Sequence, residues 1–375
     1  MVKRVLVSAG PIPAKLDSVK VLMNKFKGGL ATYTARLLAA HRDLCVHVVA
    51  WRGTKVEGFS PSRVHRMSDI CEYLEFVKWF EADAYVLAAA VANIMPVNPW
   101  EGKFPSHEYR DGEEFDIKFK IAPRIIDYVL EWHPKTVLVG YKLFDGYPED
   151  LIAAGRTVMA ESRAKVIFCN TPMDAALEKI VVTPEGGAFP VGFDEHAELL
   201  YRVIGSSWFS TKTESMSIKE ENIPRGILGL LRKVMDTNRH GTFATMVNSR
   251  TDNSQLMLTT KRVKPEGSLY DSLCGVKSVD VKSRFILASD KATMNTPTLW
   301  GILLWRQQSG IVIHGHQDIG CQQIPYVPPG TIEEVDAVTR AMRTTNEVYV
   351  QGHGFYKWFF TMEGATSFVD SLGGV

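Results

Sequence analysis

The chain has 375 residues, a length for which two domains are the default expectation. Its 43 lysines and arginines balance 42 aspartates and glutamates, and this near-neutrality excludes a bulk electrostatic grip on nucleic acid or on a membrane surface. Five scattered cysteines without CxxC spacing make neither a disulfide framework nor a cysteine zinc site, and no apolar run reaches the ~18 residues of a membrane span.

In chain order, Val5 to Ala9 reads as a short buried strand ending at Gly10. Leu30, Tyr33, Leu37 and Leu38 recur at helical spacing. Further strand-like runs follow at 46–50, 84–91, 136–140 and 165–169, each flanked by turn or charge signals. This alternation predicts an α/β fold: a Rossmann-like parallel sheet with helices on both faces. Ligands of such sheets sit beyond the carboxyl ends of the strands, so chemistry is expected in the loops after Ala9, Ala90, Gly140 and Cys169.

Residues 206–222 are polar and rich in serine and threonine, which predicts a linker between domains at 1–205 and 223–375. Beyond it, a helix is expected over 223–236 with Pro224 in its first turn. Strands are expected at 243–247 and 255–260, and a helix over 297–308. A buried strand over 310–314 leads into HGH. A helix over 332–344 precedes a last strand, 347–351, which leads into GHG.

In the first half, Asn24, Lys25, Lys27, Gly28 and Gly29 precede a helix. Glycines there let a ligand approach the backbone, the exposed N–H groups favour an anion, and lysines add charge for phosphate. Ala88, Ala89 and Ala90 end a strand with small side chains, a surface on which a flat ligand can pack, and Lys103 follows in a loop. In order and spacing, these segments resemble phosphopantothenate–cysteine ligase over about residues 2–204. The resemblance rests on VLVSAG with Gly10, then Asp17, Asn24 and Gly28, AAAVAN ending at Asn93, the Lys103 loop, GYKLFDG with Lys142, and FCN ending at Asn170. It implies joining of cysteine to 4′-phosphopantothenate through an acyl-nucleotide, with CTP or ATP and Mg2+. It also implies that Asn24 holds the activated acyl group and that Lys103 and Lys142 face the triphosphate. The family's aspartate after AAAV is Asn93 here, and its glutamate after the GFKL-like segment is Phe144.

In the second half, IVIHGHQD places His314 and His316 two apart at a strand end, so both side chains can point the same way. His353, in VQGHGF, is the third candidate. Three imidazoles with one open position suit a catalytic zinc ion. With IPYVPPGT between them, these residues resemble the class II aldolase/adducin family over about residues 223–370. The resemblance implies an α/β class II aldolase-like domain, bound Zn2+, carbon–carbon bond chemistry on sugar phosphates, and a homo-oligomer. The family's glutamate before the HxH strand is absent, since no acid lies between Asn295 and Gln307 and Thr298 stands near its place. Its phosphate loop reads TTKR, where Lys261 and Arg262 are the candidate anion ligands, and Asp318 is the candidate substitute acid.

The sequence therefore predicts a cytoplasmic ligase of small molecules with an appended metal-binding module. It predicts no nucleic-acid or membrane partner. The alternatives are a non-catalytic assembly protein built on two enzyme folds, and a bifunctional enzyme whose second unit is a zinc-dependent lyase.

Overall fold

Lys3–Ala9 (β1) carries Val5, Leu6, Val7 and Ala9 without exposure, the pattern of a strand covered on both faces. A computed structural model shows what covers it, and describes residues 2–172, 178–216, 223–237, 241–248, 255–261, 268–307 and 309–372. The chain divides into two units: Met1–Pro184 with Ala188–Ile204, and Glu185–Gly187 with Gly205–Val375.

In the first unit β1 is followed by α1 (Gly29–Ala39), β2 (Leu44–Trp51), β3 (Val64–Met67), α2 (Ile70–Trp79), β4 (Ala84–Leu87) and α3 (Ile125–Trp132). Then come β5 (Val137–Leu143), α4 (Pro148–Ser162), β6 (Val166–Asn170), β7 (Glu178–Val182), β8 (Ala188–Gly192) and α5 (Phe193–Gly205). The sheet order is β8-β7-β6-β5-β4-β1-β2-β3. Six strands, β1 to β6, run parallel, and β7 and β8 extend the sheet as an antiparallel hairpin. The parallel part, 3-2-1-4-5-6, is the doubly wound order, with its switch point between β1 and β4.

Side chains alternate across this sheet. Leu6, Tyr85, Leu138 and Ile167 pack with Tyr73, Val77, Ile125, Val129 and Val158 of α2 to α4. On the other face the Phe168 ring meets His196 of α5, which hydrogen-bonds to Thr34 of α1. Helices thus cover both faces, as the alternating pattern predicts. The run expected as one strand over 84–91 is two pieces: the sheet strand ends at Leu87, and Ala90–Val91 pairs instead with Pro11–Ile12. A tight turn, in which Ala88 N–H donates to Val86 O, separates them.

The second unit contains β9 (Ser210–Thr213), α6 (Ile227–Thr237), β10 (Thr242–Asn248), β11 (Gln255–Thr260), β12 (Leu273–Asp280), β13 (Phe285–Ala288) and α7 (Thr296–Trp305). It continues with β14 (Ile311–Gly315), β15 (Gln323–Ile324), α8 (Ile332–Ala341), β16 (Glu347–Val350), β17 (Gly354–Phe359) and α9 (Met362–Leu372). Its nine strands are ordered β9-β13-β12-β11-β10-β14-β17-β16-β15 and are mainly antiparallel. Ala244, Val312, Val348 and Tyr356 pack against α7 and α8. Phe243, Ile311, Ile313 and Phe355 pack against α6 and α9. The unit is a helix–sheet–helix sandwich, and the chain as a whole is of the α/β class.

Residues 210–213, within the segment expected as linker, form an edge strand beside Phe285–Ala288. Residues 217–222 of that segment lie outside the described residues. The helix expected from 223 starts at Ile227, because Gly226 has φ 90 and the chain turns there, Ile227 N–H donating to Pro224 O.

Candidate functional sites

At the switch point of the first unit the chain leaves β1 at Gly10 and returns at Gly28 to start α1. Gly28 has φ 81, and a Cβ there would lie 2.4 Å from both Cα and N of Gly10. Only glycine permits this backbone approach. No side chain caps α1, and its first turn borders a cavity of about 480 Å3. Gly10, Lys27, Gly28, Gly29, Ala88, Ala89, Ala90, Tyr141, Asn170 and Phe193 line it. Its size is that of a small-molecule or cofactor site.

Seven of the predicted residues therefore meet at one cavity: Gly10, Gly28, Gly29, the three alanines and Asn170. Asn24 lies beside them. Its amide nitrogen is 3.0 Å from Ala90 O and from Val91 O, so both its hydrogens are donated to the alanine strand. Two carbonyl partners fix the amide orientation and leave Oδ1 as what Asn24 offers a ligand.

Asp17 has a different place. Its buried carboxylate accepts from the N–H groups of Val19, Lys20 and Phe104 and from Lys20 Nζ. It pins the loop that carries Lys103, which is itself exposed. Burial opposes the charge of Asp17, but these hydrogen bonds hold its pKa well below the ordinary 3.8. Asn93 is exposed, and its carbonyl accepts from Ala122 N–H.

Lys142 lines a second cavity, of about 640 Å3, with Arg124, Thr157 and Glu161. Tyr141 and Ala89 border both cavities, Leu143 borders the Gly28 cavity alone, and Lys142, between Tyr141 and Leu143 on the strand, borders only the second. The cation at the Gly28 cavity is Lys27. Sequence reasoning did not single out Tyr141 or Phe193. Their only signal is position, at the carboxyl end of β5 and the start of α5.

In the second unit β14 carries His314 and ends at Gly315, with His316 just beyond. His353 sits in the turn between β16 and β17. Gly354, with φ 148, comes so close to β14 that a Cβ would lie 2.2 Å from Gly315 O and 2.9 Å from His316 Cα. This glycine lets the turn rest on HGH and brings the three imidazoles together. Their rings are 4.8 to 5.8 Å apart, centroid to centroid, and one ligand atom from each lies within 4.8 Å of the others.

Two of the three Nδ1 atoms face main-chain carbonyls. His314 Nδ1 is 2.8 Å from Phe355 O, and His316 Nδ1 is 3.1 Å from the carbonyl of Glu185, which groups with this unit. A carbonyl can only accept, so both nitrogens carry hydrogen. His353 Nδ1 is 2.8 Å from Glu334 Oε1, and both side chains are without exposure. Burial works against a charged His353, while the Glu334 carboxylate, with Glu185 behind it, carries its pKa above the ordinary 6.5. Three imidazoles whose ligand atoms come this close together fit a three-histidine zinc site.

Glu334 lies in the first turn of α8. It is fully buried, and its second oxygen accepts from Thr298 Oγ1 and from Gly330 N, both at 2.9 Å. Tyr356 OH donates to its first oxygen at 2.9 Å. Asp318 is exposed, with Oδ1 accepting from Gly320 N–H. Lys261 pairs with Asp290 at 3.1 Å, and Arg262 lies outside the described residues.

Residues 1–180 are similar to the family described as the DNA/pantothenate metabolism flavoprotein C-terminal domain. A coenzyme A biosynthesis bifunctional protein, CoaBC, from Thermococcus kodakarensis is 29% identical over 173 residues. That match takes in 45% of this chain and 41% of the relative, so the chain spans about two-fifths of the curated relative it matches. The DNA/pantothenate metabolism flavoprotein of Streptococcus pneumoniae superposes with a TM-score of 0.47 at 20% identity, over 54% of this chain and 98% of that one. A sugar-phosphate aldolase from Thermotoga maritima superposes with a TM-score of 0.32 at 13% identity, over 40% of this chain and 89% of that one. No helix among the described residues is long and apolar enough to cross a membrane.

Proposed function

We propose that the first unit is a nucleotide-dependent ligase of the phosphopantothenate–cysteine type, using CTP or ATP with Mg2+, and that the second is a zinc-binding module. The observation that carries the first reading is the cavity at the β1–β4 switch point, where Gly10, Gly28, Gly29, Ala88, Ala89, Ala90 and Asn170 converge. The family match over residues 1–180 supports the same reading.

In this reading the start of α1 and Lys27 receive the nucleotide phosphates, since backbone N–H groups, the helix dipole and a lysine all favour an anion there. The alanine strand end gives a flat surface for a planar group. Asn24 braces the phosphate loop against that strand and presents Oδ1, which can accept an N–H of the attacking cysteine amine. Lys103, on the loop pinned by Asp17, supplies further charge toward the phosphates.

The test is pyrophosphate release by the full chain with CTP or ATP, 4′-phosphopantothenate and cysteine. The reading expects release that requires both substrates and falls at least tenfold in Asn24→Ala. Substrate-independent or absent release from folded protein would end it.

The metal reading of the second unit rests on the His314–His316–His353 cluster. A metal there supplies Lewis acidity when bound. Three donors already occupy the two oxygens of Glu334, and His353 Nδ1 lies 2.8 Å from one of them, which argues against Glu334 as the general base of such a site. That favours a role in binding or assembly over sugar-phosphate cleavage. A His314→Ala change that leaves bound zinc unaltered would refute the metal reading.

A further inference from the structure

We infer that the second cavity of the first unit is a binding site in its own right, for a compact organic anion whose charged head meets Lys142 and whose apolar body lies between α3 and α4. The inference is independent of the ligase reading, which gives neither this cavity nor Lys142 a role.

The cavity follows from the way the sheet ends. β4 pairs with β5 from Val137↔Ala84 to Gly140↔Leu87. Beyond Leu87 the chain turns aside, and Ala90–Val91 pairs with Pro11–Ile12 instead. β5 runs on to Leu143 beside β6. The β4 side of residues 141–143 is therefore left open at the carboxyl end of the sheet, where ligands of doubly wound folds sit. Ile126 of α3 and Val158 of α4 wall the opening, and Leu87 and Val91 complete its apolar part. Protein interiors leave few voids larger than a water molecule. A cavity of about 640 Å3 is no packing defect, and its size is that of a small-molecule site.

Three charged residues line it: Arg124, Lys142 and Glu161. Arg124 Nη1 is 2.9 Å from Glu161 Oε2, so these two compensate each other. Asp127, 3.5 Å from Arg124 Nε, does not line the cavity. Lys142 is half-buried and has no ion pair or hydrogen bond among the described residues. A lone lysine on a strand is ordinarily a solvated surface charge. This one stands four residues on from Leu138, on the same strand face, in a concave and largely apolar site. A cation there is less screened than at an open surface and attracts an anion more strongly. Apolar walls beside one uncompensated cation select a ligand with an apolar body and one anionic head, a carboxylate or a phosphate.

The experiment is isothermal titration calorimetry of the full chain with three probes of one shape: naphthoate, naphthyl phosphate and the neutral naphthamide. At least one anion is expected to bind saturably at one site per chain, and naphthamide at least about tenfold more weakly. The tighter anion identifies the head group as carboxylate or phosphate. Lys142→Met, which keeps the apolar stem and removes the charge, should weaken the anion about tenfold or more and leave naphthamide unchanged. Val158→Phe fills this cavity alone and should weaken all three probes. Lys27→Met alters only the Gly28 cavity and should bind like wild type, because Tyr141 and Ala89 are the walls common to both cavities and Lys27 is not. Circular dichroism establishes that each variant is folded, and should one of Lys142→Met and Val158→Phe fail to fold, the other decides. Absence of anion binding to folded wild type overturns the inference. So does wild-type affinity in Lys142→Met or Val158→Phe, or a loss in Lys27→Met as large as theirs.

Discussion

Gly28→Ala tests the first cavity at its tightest point. The residue has φ 81, and a side chain held in that region costs about 1–2 kcal/mol. Its Cβ would also stand 2.4 Å from the Cα and N of Gly10, a contact that only a backbone shift can relieve. Overpacking of this kind adds roughly 1–3 kcal/mol, for a total of about 2–5 kcal/mol. Against a domain stability of about 5–15 kcal/mol that is a large loss. The neighbouring Gly29 has nothing within 4 Å of its Cβ position. Alanine there should be neutral, or stabilising by up to about 1 kcal/mol through helix propensity. Urea unfolding of the full chain, followed by far-ultraviolet circular dichroism, compares the two variants, and nucleotide titration reports the cavity. Gly28→Ala should unfold at clearly lower urea and bind nucleotide weakly, while Gly29→Ala unfolds like wild type. Equal midpoints for the two variants would refute the close approach of the loop to β1.

Gly354→Ala should displace the His353 turn from β14, and bound zinc measured by elemental analysis should fall well below that of wild type; retained stoichiometry would count against the assembled triad. Lys179 is 1% exposed, and burial lowers its pKa from 10.5 to about 8. Between those values the unfolded chain binds the extra proton, so stability should rise with pH from about 8 to 10.5 and be lost as pH falls through 8. Lys179→Met should remove that slope, read from urea midpoints across the pH range; a slope that survives the substitution would contradict it. Asp17→Ala should release the Lys103 loop, seen as faster proteolysis near residue 103, and an unchanged cleavage pattern would show that the loop is held by other contacts.

Much of the architecture is legible in the sequence because the central strands are buried on both faces and so read as short apolar runs. The order of those strands is set by crossovers that no local pattern encodes. At the first site, the glycines and alanines are visible because only small residues allow the backbone approaches found there. Lys142 shows the opposite case. Its motif suggests a phosphate ligand, yet alternation along β5 turns it away from Leu143 and into another cavity. The histidine triad is legible from HxH and GHG, since both follow strands that end on the same side of the sheet. Glu334 is not, because its place at the start of α8 explains it locally. Its hydrogen bonds to Thr298 and Tyr356, and its close approach to His353, appear only when separate elements meet. The Lys261–Asp290 pair likewise joins residues 29 apart and ties up a lysine expected to be free for phosphate.

The most direct measurement of the central claim follows oxygen. With 4′-phosphopantothenate labelled with oxygen-18 in its carboxylate, turnover with cysteine and CTP or ATP should place one labelled oxygen in the nucleoside monophosphate, read by mass spectrometry. That transfer requires an acyl-nucleotide at the cavity. Product formed with no label in the monophosphate, or label found in released phosphate, would contradict it.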